Sequence, residues 1–324
     1  MPRVAAALLA AWLAGGATAA AAAPCAMDPS DRAWLEGALD NWRRAEREDL
    51  RLEPRPLPTV LAIDAECTHR LPAGELAAAS GEPHGGRPRL PDGNEAPIGP
   101  IAFASGAGSD AYFAMSLPTV WREAGVASEV GLERLMDGVL LHEIMHTRQA
   151  DLLSGLLEPL SRQAGVSDEY LSDDIVQQRF GDDPDYAAAW SEERDRLFAA
   201  AAAVDEREAR RLAREALGLI RARHARWFTE DNAAFAELDQ VFLTMEGMGQ
   251  WLIWRYLLSP AGGGHAPEQA LAAVRRGRGQ WSQDEGLALI LVVDRLLPGW
   301  QARAFTDPDW RAVNLLEAAV ASGD

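Results

Sequence analysis

Two histidines and one glutamate near the middle of the chain have the spacing of a metal-dependent catalytic site. His142, Glu143 and His146 lie in the pentapeptide His-Glu-Ile-Met-His, inside a run from Leu132 to Ala150 that is typical of a helix. Because residues four apart on an α-helix project from the same face, the two imidazoles can bind one metal ion. Glu143 would then lie beside the ion, where a general base can take a proton from a coordinated water. We therefore predict that His142 and His146 bind Zn²⁺ and that Glu143 is catalytic.

The residues around this HExxH motif favour a continuous buried helix. No proline occurs between Thr119 and Leu157, so nothing interrupts the helix. Apolar residues occupy the flanking positions, as a buried metal helix requires: Val139, Leu140, Leu141, Ile144 and Met145. The alternative is a pair of hydrogen-bonded histidines on an ordinary helix face, and the flanking residues favour the zinc site over it.

A third protein ligand is expected, because catalytic zinc usually has three protein ligands and one open position. The short motif HExxHxxGxxH is excluded, since Gln149 and Leu152 occupy its glycine and histidine positions. A third ligand 19 or 20 residues after His146 is also excluded, since Gly165 and Val166 stand there. The third ligand must therefore come from a more distant part of the sequence.

Glu246 is the first candidate for this third ligand. It lies in an apolar segment with a helical pattern, Phe242 to Trp251, where a carboxylate is costly without a partner. Gly247 and Gly249 lower the helix propensity of the segment, which predicts a close approach to another helix or to a metal. We therefore predict a metal site formed by His142, His146 and Glu246.

Glu193 is the second candidate. It shares a helical stripe with Trp190 and Leu197, which would turn it inward. Its neighbours Arg194 and Arg196 favour the alternative of a surface glutamate paired with arginine. The remaining histidines lack neighbours typical of a metal site and are not predicted as ligands: His69, His84, His224 and His265. The segment Arg221–Arg226 around His224 has the pattern of a solvated basic helix face.

The hydrophobic pattern predicts a small sheet followed by helices. Helical spacing runs from Ser30 to Glu46, and strands are predicted at Thr59–Leu71, Ile98–Ala104 and Ala111–Leu117, with a loop at 80–100 that is rich in Gly and Pro. After the last strand nearly all of the sequence has a helical pattern. The predicted fold class is therefore α+β, mostly α. We expect a signal peptide at 1–23, an N-terminal α+β part with the small sheet at 24–126, and a helical zinc-binding part at 127–324. The last two would form one continuous catalytic domain.

The N-terminus has the features of a secretory signal peptide. Arg3 gives a positive region, Val4–Ala14 an apolar run, and Ala17–Ala23 small residues for cleavage. Pro24 before Cys25 favours ordinary cleavage over the alternative of lipidation, and the apolar run is short for a membrane anchor. We predict an exported protein, periplasmic or secreted, with no stable membrane insertion after cleavage.

Composition limits the chemistry and the partners. In an exported chain the two cysteines, Cys25 and Cys67, favour a disulfide, with two free thiols as the alternative. The net charge of −18 argues against a nucleic-acid partner. The chain has no lysine, which excludes Schiff-base and Ser–Lys chemistry. The sequence does not predict an oligomeric state.

The HExxH motif and the order of elements resemble the gluzincins, a class of zinc metallopeptidases. A small sheet comes first, then the helix with His142 to His146, then further helices. The resemblance implies a zincin-like fold, a peptide or protein substrate, and cleavage of peptide bonds by a water that Glu143 activates. In gluzincins an edge strand above the zinc helix holds the substrate backbone, and the resemblance implies this role for Ala111–Leu117.

The segment from Glu246 to Trp251 resembles the Glu-Gly-x-Ala-x-aromatic helix that supplies the third ligand in several HExxH families. Gln250 stands one turn after Glu246, where some gluzincins carry an aspartate that holds a ligand histidine. The resemblance therefore implies a similar but weaker role for the Gln250 carbonyl. The candidate donors to an oxyanion are Tyr112, Arg255 and Tyr256.

Two other functions remain open. One is a non-catalytic exported helical module in which the metal site is structural or vestigial, although a structural site needs no base at Glu143. The other is a zinc hydrolase of a non-peptide amide or ester, since the zinc chemistry is shared.

Overall fold

The computed structural model describes residues 25–106, 108–153, 155–167, 171–306 and 310–322. The predicted signal peptide at 1–23 lies outside these residues. The described part is mostly helical and contains one small sheet, which confirms the fold class α+β, mostly α. The division at residue 126 stays a prediction.

The sheet has five strands in the order β3-β2-β1-β5-β4. The β1–β5 pair is parallel, and the other three pairs are antiparallel. The strands are β1 (Thr59–Ile63), β2 (Cys67–Leu71), β3 (Ser80–Pro83), β4 (Ala102–Ser105) and β5 (Tyr112–Ser116). The strand β3 therefore lies in a region predicted as loop.

The single strand predicted at Thr59–Leu71 is wrong, because a turn divides it into the β1–β2 hairpin. The Asp64 carboxylate accepts hydrogen bonds from the backbone N–H groups of Glu66 and Cys67, at 2.9 and 2.6 Å. Such a local side-chain contact stabilises a turn where the apolar pattern alone suggests continued extension.

The prediction that Ala111–Leu117 forms an edge strand is also wrong. The strand β5 pairs with β1 on one side and with β4 on the other, and all five of its residues are buried. The edge on this side of the sheet is β4, whose residues are only partly buried. Alternating apolar residues predict a strand but do not give its place in the sheet.

Twelve α-helices account for most of the described residues. The predicted helices Ser30–Glu46 and Leu132–Ala150 correspond to α1 and α3. The helices are α1 (Pro29–Glu48), α2 (Pro118–Glu123), α3 (Leu132–Leu153), α4 (Leu157–Gln163), α5 (Ile175–Phe180), α6 (Pro184–Ala202), α7 (Glu206–Trp227), α8 (Phe235–Leu258), α9 (Pro267–Val274), α10 (Trp281–Leu296), α11 (Trp300–Thr306) and α12 (Ala312–Ala321).

The helix α8 lies in the core between α3 and α10, and two glycines permit these contacts. A Cβ atom on Gly247 would lie 2.4 Å from the backbone of Gly286 on α10. A Cβ atom on Gly249 would lie 2.4 Å from the imidazole Nδ1 of His142 on α3. The predicted reason for these glycines, a close approach to another helix or to the metal site, is therefore confirmed.

The predicted disulfide between Cys25 and Cys67 is present and ties the chain before α1 to the first residue of β2. A disulfide is typical of an oxidising, non-cytoplasmic compartment. Among the described residues, none of the helices has the length and apolar character needed to cross a bilayer.

Candidate metal centre

His142, His146 and Glu246 form a group that can hold a metal ion, and these three residues are called the metal group below. The Nε2 atom of His142 lies 3.2 Å from Oε2 of Glu246, and the Nε2 atom of His146 lies 3.3 Å from Oε1. In a tetrahedral zinc site with bonds of about 2.0–2.1 Å, neighbouring ligand atoms lie about 3.3 Å apart. The three side chains therefore have the donor types and spacing of a divalent-metal site.

The helices α3 and α8 bring these ligands together from positions 104 residues apart in the sequence. The side chains of His142 and Glu246 are 6 and 7% exposed, whereas that of His146 is 13% exposed. Because Gly249 packs against the His142 ring, the backbone of α8 itself forms the back wall of the group. The more open side is the one with His146.

The charges of the group are strongly coupled. Burial alone would raise the pKa of Glu246, but the charges and hydrogen bonds of His146 and His142 hold it far below its usual range. Burial alone would lower the pKa of His146, but the neighbouring carboxylate of Glu246 raises it to about 9. Glu246 is therefore an ionised carboxylate, the form that binds a metal, and His146 would release its proton when a metal binds.

Glu143 is half-buried beside this group and is not part of it. Burial raises the pKa of its carboxyl, against the opposing charges of His142 and His146. The backbone of Ala104 on β4 also donates a hydrogen bond to Glu143. Glu143 thus lies between the metal group and the edge strand, where a general base would meet a substrate bound along β4.

Two glutamines that were not predicted contact the metal group. Oε1 of Gln149 lies 2.9 Å from Nδ1 of His146, and Nε2 of Gln283 donates to Oε2 of Glu246 at 3.1 Å. Gln149 was notable in the sequence only because it occupies the glycine position of the motif HExxHxxGxxH. Gln283 lies on α10, which no spacing rule connects with the HExxH helix.

The predicted role of Gln250 is not the one found. Its Nε2 atom donates to Oε1 of Gln283 at 2.5 Å, and its Oε1 atom is buried with no hydrogen-bond partner among the described residues. Gly249, rather than an amide, lies against the Nδ1 side of His142. Gln250 therefore acts on Gln283, which in turn holds Glu246.

Glu193, the second candidate ligand, lies in a different cluster. It is fully buried, and its Oε1 atom accepts a hydrogen bond at 2.5 Å from Arg223, which is itself fully buried. Asp239 on α8 accepts from the same guanidinium at 2.9 Å and pairs with His224 at the same distance. Glu193 thus points inward, as its helical stripe suggested, and the alternative of a surface glutamate paired with Arg194 or Arg196 is wrong, because its partner is the buried Arg223.

The three candidate oxyanion donors each have another partner. The Tyr112 hydroxyl donates to Asp92, and the Tyr256 hydroxyl donates to Asp137. The Arg255 guanidinium donates to Asp49. No contact of these donors favours one of them as part of the site.

Asp173 and Asp174, in the turn before α5, were also missed. Burial raises the pKa of both carboxyls. The charge of Glu246 raises the pKa of Asp173 further, and the charges of Asp173 and Glu246 help to raise the pKa of Asp174 to about 6. Asp174 lines an open cleft of about 490 Å³. An acidic pair in a loop has the sequence pattern of an ordinary solvated turn, so nothing in the pattern indicated that the charge of Glu246 acts on it.

Comparison with protein-family models, with curated proteins and with solved structures found no match for this chain.

Proposed function

We propose that the protein is an exported zinc-dependent hydrolase, and that its reaction is the cleavage of peptide bonds. The observation that carries this proposal is the pair of contacts near 3.3 Å by which the two oxygens of Glu246 meet two different histidines. A salt bridge needs only one such contact, whereas a metal site needs all three donors to face a common point. The disulfide supports the export part of the proposal.

In this proposal Glu143 is the catalytic base. A zinc ion held by His142, His146 and Glu246 would supply a Lewis acid for the carbonyl and a lowered pKa for its water. Glu143 takes a proton from the attacking water and passes it to the leaving amine. Its half-buried position and its raised pKa suit a group that must accept and release a proton within one reaction cycle.

The edge strand β4 supports a peptide rather than another amide as the substrate. The backbone N–H of Ser116 on β5 donates to the carbonyl of Ile101 at 3.0 Å. Because hydrogen-bonded pairs alternate along an antiparallel ladder, Phe103 and Ser105 also face β5, while Ala102 and Ala104 present their backbone groups away from the sheet. An extended peptide would add to this edge beside Glu143, and the zincin-like fold is part of the same proposal.

The test is hydrolysis of a mixed peptide library by the zinc-loaded protein and by its Glu143→Gln variant. We expect the variant to bind zinc normally, because Glu143 is outside the ligand group, and to lose about 10²–10⁴-fold in rate. The matched control is Glu133→Gln on the same helix, an exposed glutamate that pairs with Arg122 and should leave the rate unchanged. Equal rates for wild type and Glu143→Gln would reject the hydrolase. Cleavage of simple esters or amides, with no peptide cut, would reject the peptide substrate alone.

A further inference from the structure

Two buried side-chain amides contact the metal group, one through its carbonyl oxygen and the other through its N–H group. The carbonyl end of Gln149 faces His146, and the N–H end of Gln283 faces Glu246. Both side chains are at least nine-tenths buried. Neither is a member of the ligand group, so both can act only through the ligand that they contact.

The neighbours of each amide define its orientation. The Gln283 carbonyl accepts from Nε of Arg276 at 3.2 Å and from Nε2 of Gln250 at 2.5 Å, so only its N–H groups remain for the carboxylate of Glu246. The Gln149 amide N–H faces the sulfur of Met248 at 3.5 Å, a weak acceptor, which leaves its carbonyl for the imidazole.

We propose that Gln149 and Gln283 are positioning residues of the metal group with opposite electronic requirements. Gln149 accepts the Nδ1–H of His146 and so keeps the Nε2 lone pair of that ring available for a metal. Gln283 donates to Oε2 of Glu246 and so fixes the carboxylate with one oxygen toward each histidine. A residue at 149 must therefore accept a hydrogen bond, and a residue at 283 must donate one.

This requirement predicts that one substitution has opposite effects at the two positions. Gln149→Glu keeps the acceptor and gives it a charge, which strengthens the hydrogen bond to the imidazole. Gln283→Glu removes the donor and places a second carboxylate against Glu246, which repels it. Replacing such supporting groups typically changes metal affinity by about 10–100-fold.

The experiment measures zinc affinity by chelator competition at neutral pH, with folding checked by circular dichroism. We expect Gln283→Glu to weaken zinc binding by about 10–100-fold and Gln149→Glu to bind zinc as tightly as wild type or more tightly. The uncharged variants Gln149→Met and Gln283→Met should both bind zinc more weakly than wild type. If a Glu variant does not fold, the Met variant at the same position provides the test. The matched control is Gln301→Met, a buried glutamine on α11 whose amide donates to the backbone carbonyl of Asp49. That control should keep the zinc affinity of wild type.

The inference rests on the proposed metal site and not on the proposed hydrolysis, so its failure can be distinguished from a failure of the proposed function. If wild type binds zinc and the two Glu variants shift the affinity in the same direction, or not at all, the positioning roles are wrong and the metal site stands. If wild type binds no zinc, the metal site itself is wrong and the inference falls with it.

Discussion

Two clusters of buried charge share the helix α8, and their carboxylates are balanced in different ways. Glu246 belongs to the metal group and faces two histidines. Asp239, seven residues earlier on the same helix, belongs to a cluster with Glu193 and Glu285 around the buried guanidinium of Arg223. An arginine is always charged, so the second cluster carries its own cation at every physiological pH. The histidines of the metal group become cationic only by binding a proton, and otherwise they are neutral donors for a metal.

The partners of two buried glutamates thus differ between a group that can hold a metal ion and a cluster in which the glutamate is a structural anion. Glu193 and Glu246 both occupy apolar helical stripes, and the sequence offers both as ligands. Glu193 meets the permanent cation of Arg223, which satisfies its charge within the protein. Glu246 meets two rings whose second nitrogens have other neighbours, and that leaves the Nε2 atoms facing the carboxylate for a metal. The partner, rather than the burial, separates the two roles.

The largest expected effect is loss of the metal on removal of a ligand. His146→Ala should lose zinc and all hydrolysis while keeping its helical content, because the Arg223 cluster still joins α6, α7, α8 and α10. Zinc content of the purified protein and circular dichroism measure the two parts. The matched variant is His224→Ala, which loses the 2.9 Å contact to Asp239 and should keep its zinc. Zinc loss in both variants would show that the two clusters are not independent.

The second effect is on stability. Arg223→Met should lower the free energy of unfolding by about 3–5 kcal/mol, because it removes the buried guanidinium that the carboxylates of Glu193 and Asp239 share. Urea unfolding followed by circular dichroism measures this change. The control Arg221→Met removes an exposed pair with Glu317 and should change the stability by no more than about 0.5 kcal/mol. Similar losses in both variants would mean that the buried cluster contributes no more than a surface ion pair.

A smaller effect is expected where α8 meets α10. Gly247→Ala should destabilise the protein by about 1–3 kcal/mol, since its methyl group would meet the Gly286 backbone at 2.4 Å and force the helices apart. The control Gly218→Ala on α7 has no atom within 4 Å of the new Cβ and should stabilise the helix by up to about 1 kcal/mol. Because α10 carries both Gln283 and Glu285, Gly247→Ala should also weaken zinc binding. Normal zinc affinity in this variant would show that the spacing between α8 and α10 does not affect the metal group.

The last effect is a pH dependence at another buried acid, Asp137, which accepts hydrogen bonds from the neutral groups of Tyr256 and Asn41. Burial raises its pKa to about 6, although hydrogen bonds from Tyr256 act to lower it. The folded state therefore binds this proton more tightly than the unfolded state, and the resulting stability is lost as the pH rises from about 4 to about 6. Asp137→Asn should gain stability relative to wild type by about 1–3 kcal/mol between pH 4 and pH 7. Urea unfolding at the two pH values tests this, and a difference that does not change with pH would contradict the raised pKa.

The parts of the fold that depend on local pattern were predictable. Uninterrupted apolar periodicity predicted α3, and the unusual glycines beside Glu246 predicted a close approach that the structure shows at both Gly247 and Gly249. The disulfide followed from the count of cysteines in a chain with an export-like N-terminus.

The parts that depend on tertiary packing were not predictable. The central place of β5 is a property of strand order, which alternation within one strand does not contain. The contact between Gln283 and Glu246 joins residues on two helices, and an isolated glutamine in an amphipathic helix gives no signal. Arg223 lies in a stretch with other arginines, and the pattern does not show that this one alone is fully buried while its neighbours Arg221 and Arg226 are exposed.

The open edge of β4 also has a consequence for how copies of the protein behave in solution. Unpaired backbone groups at the edge of a sheet can pair with the edge strand of a neighbouring molecule. The net charge of −18 keeps such neighbours apart while the ionic strength is low. Added salt shortens the range of that repulsion to about 3 Å at 1 M, and we expect self-association through β4 to set the upper limit of salt in which the protein stays dispersed.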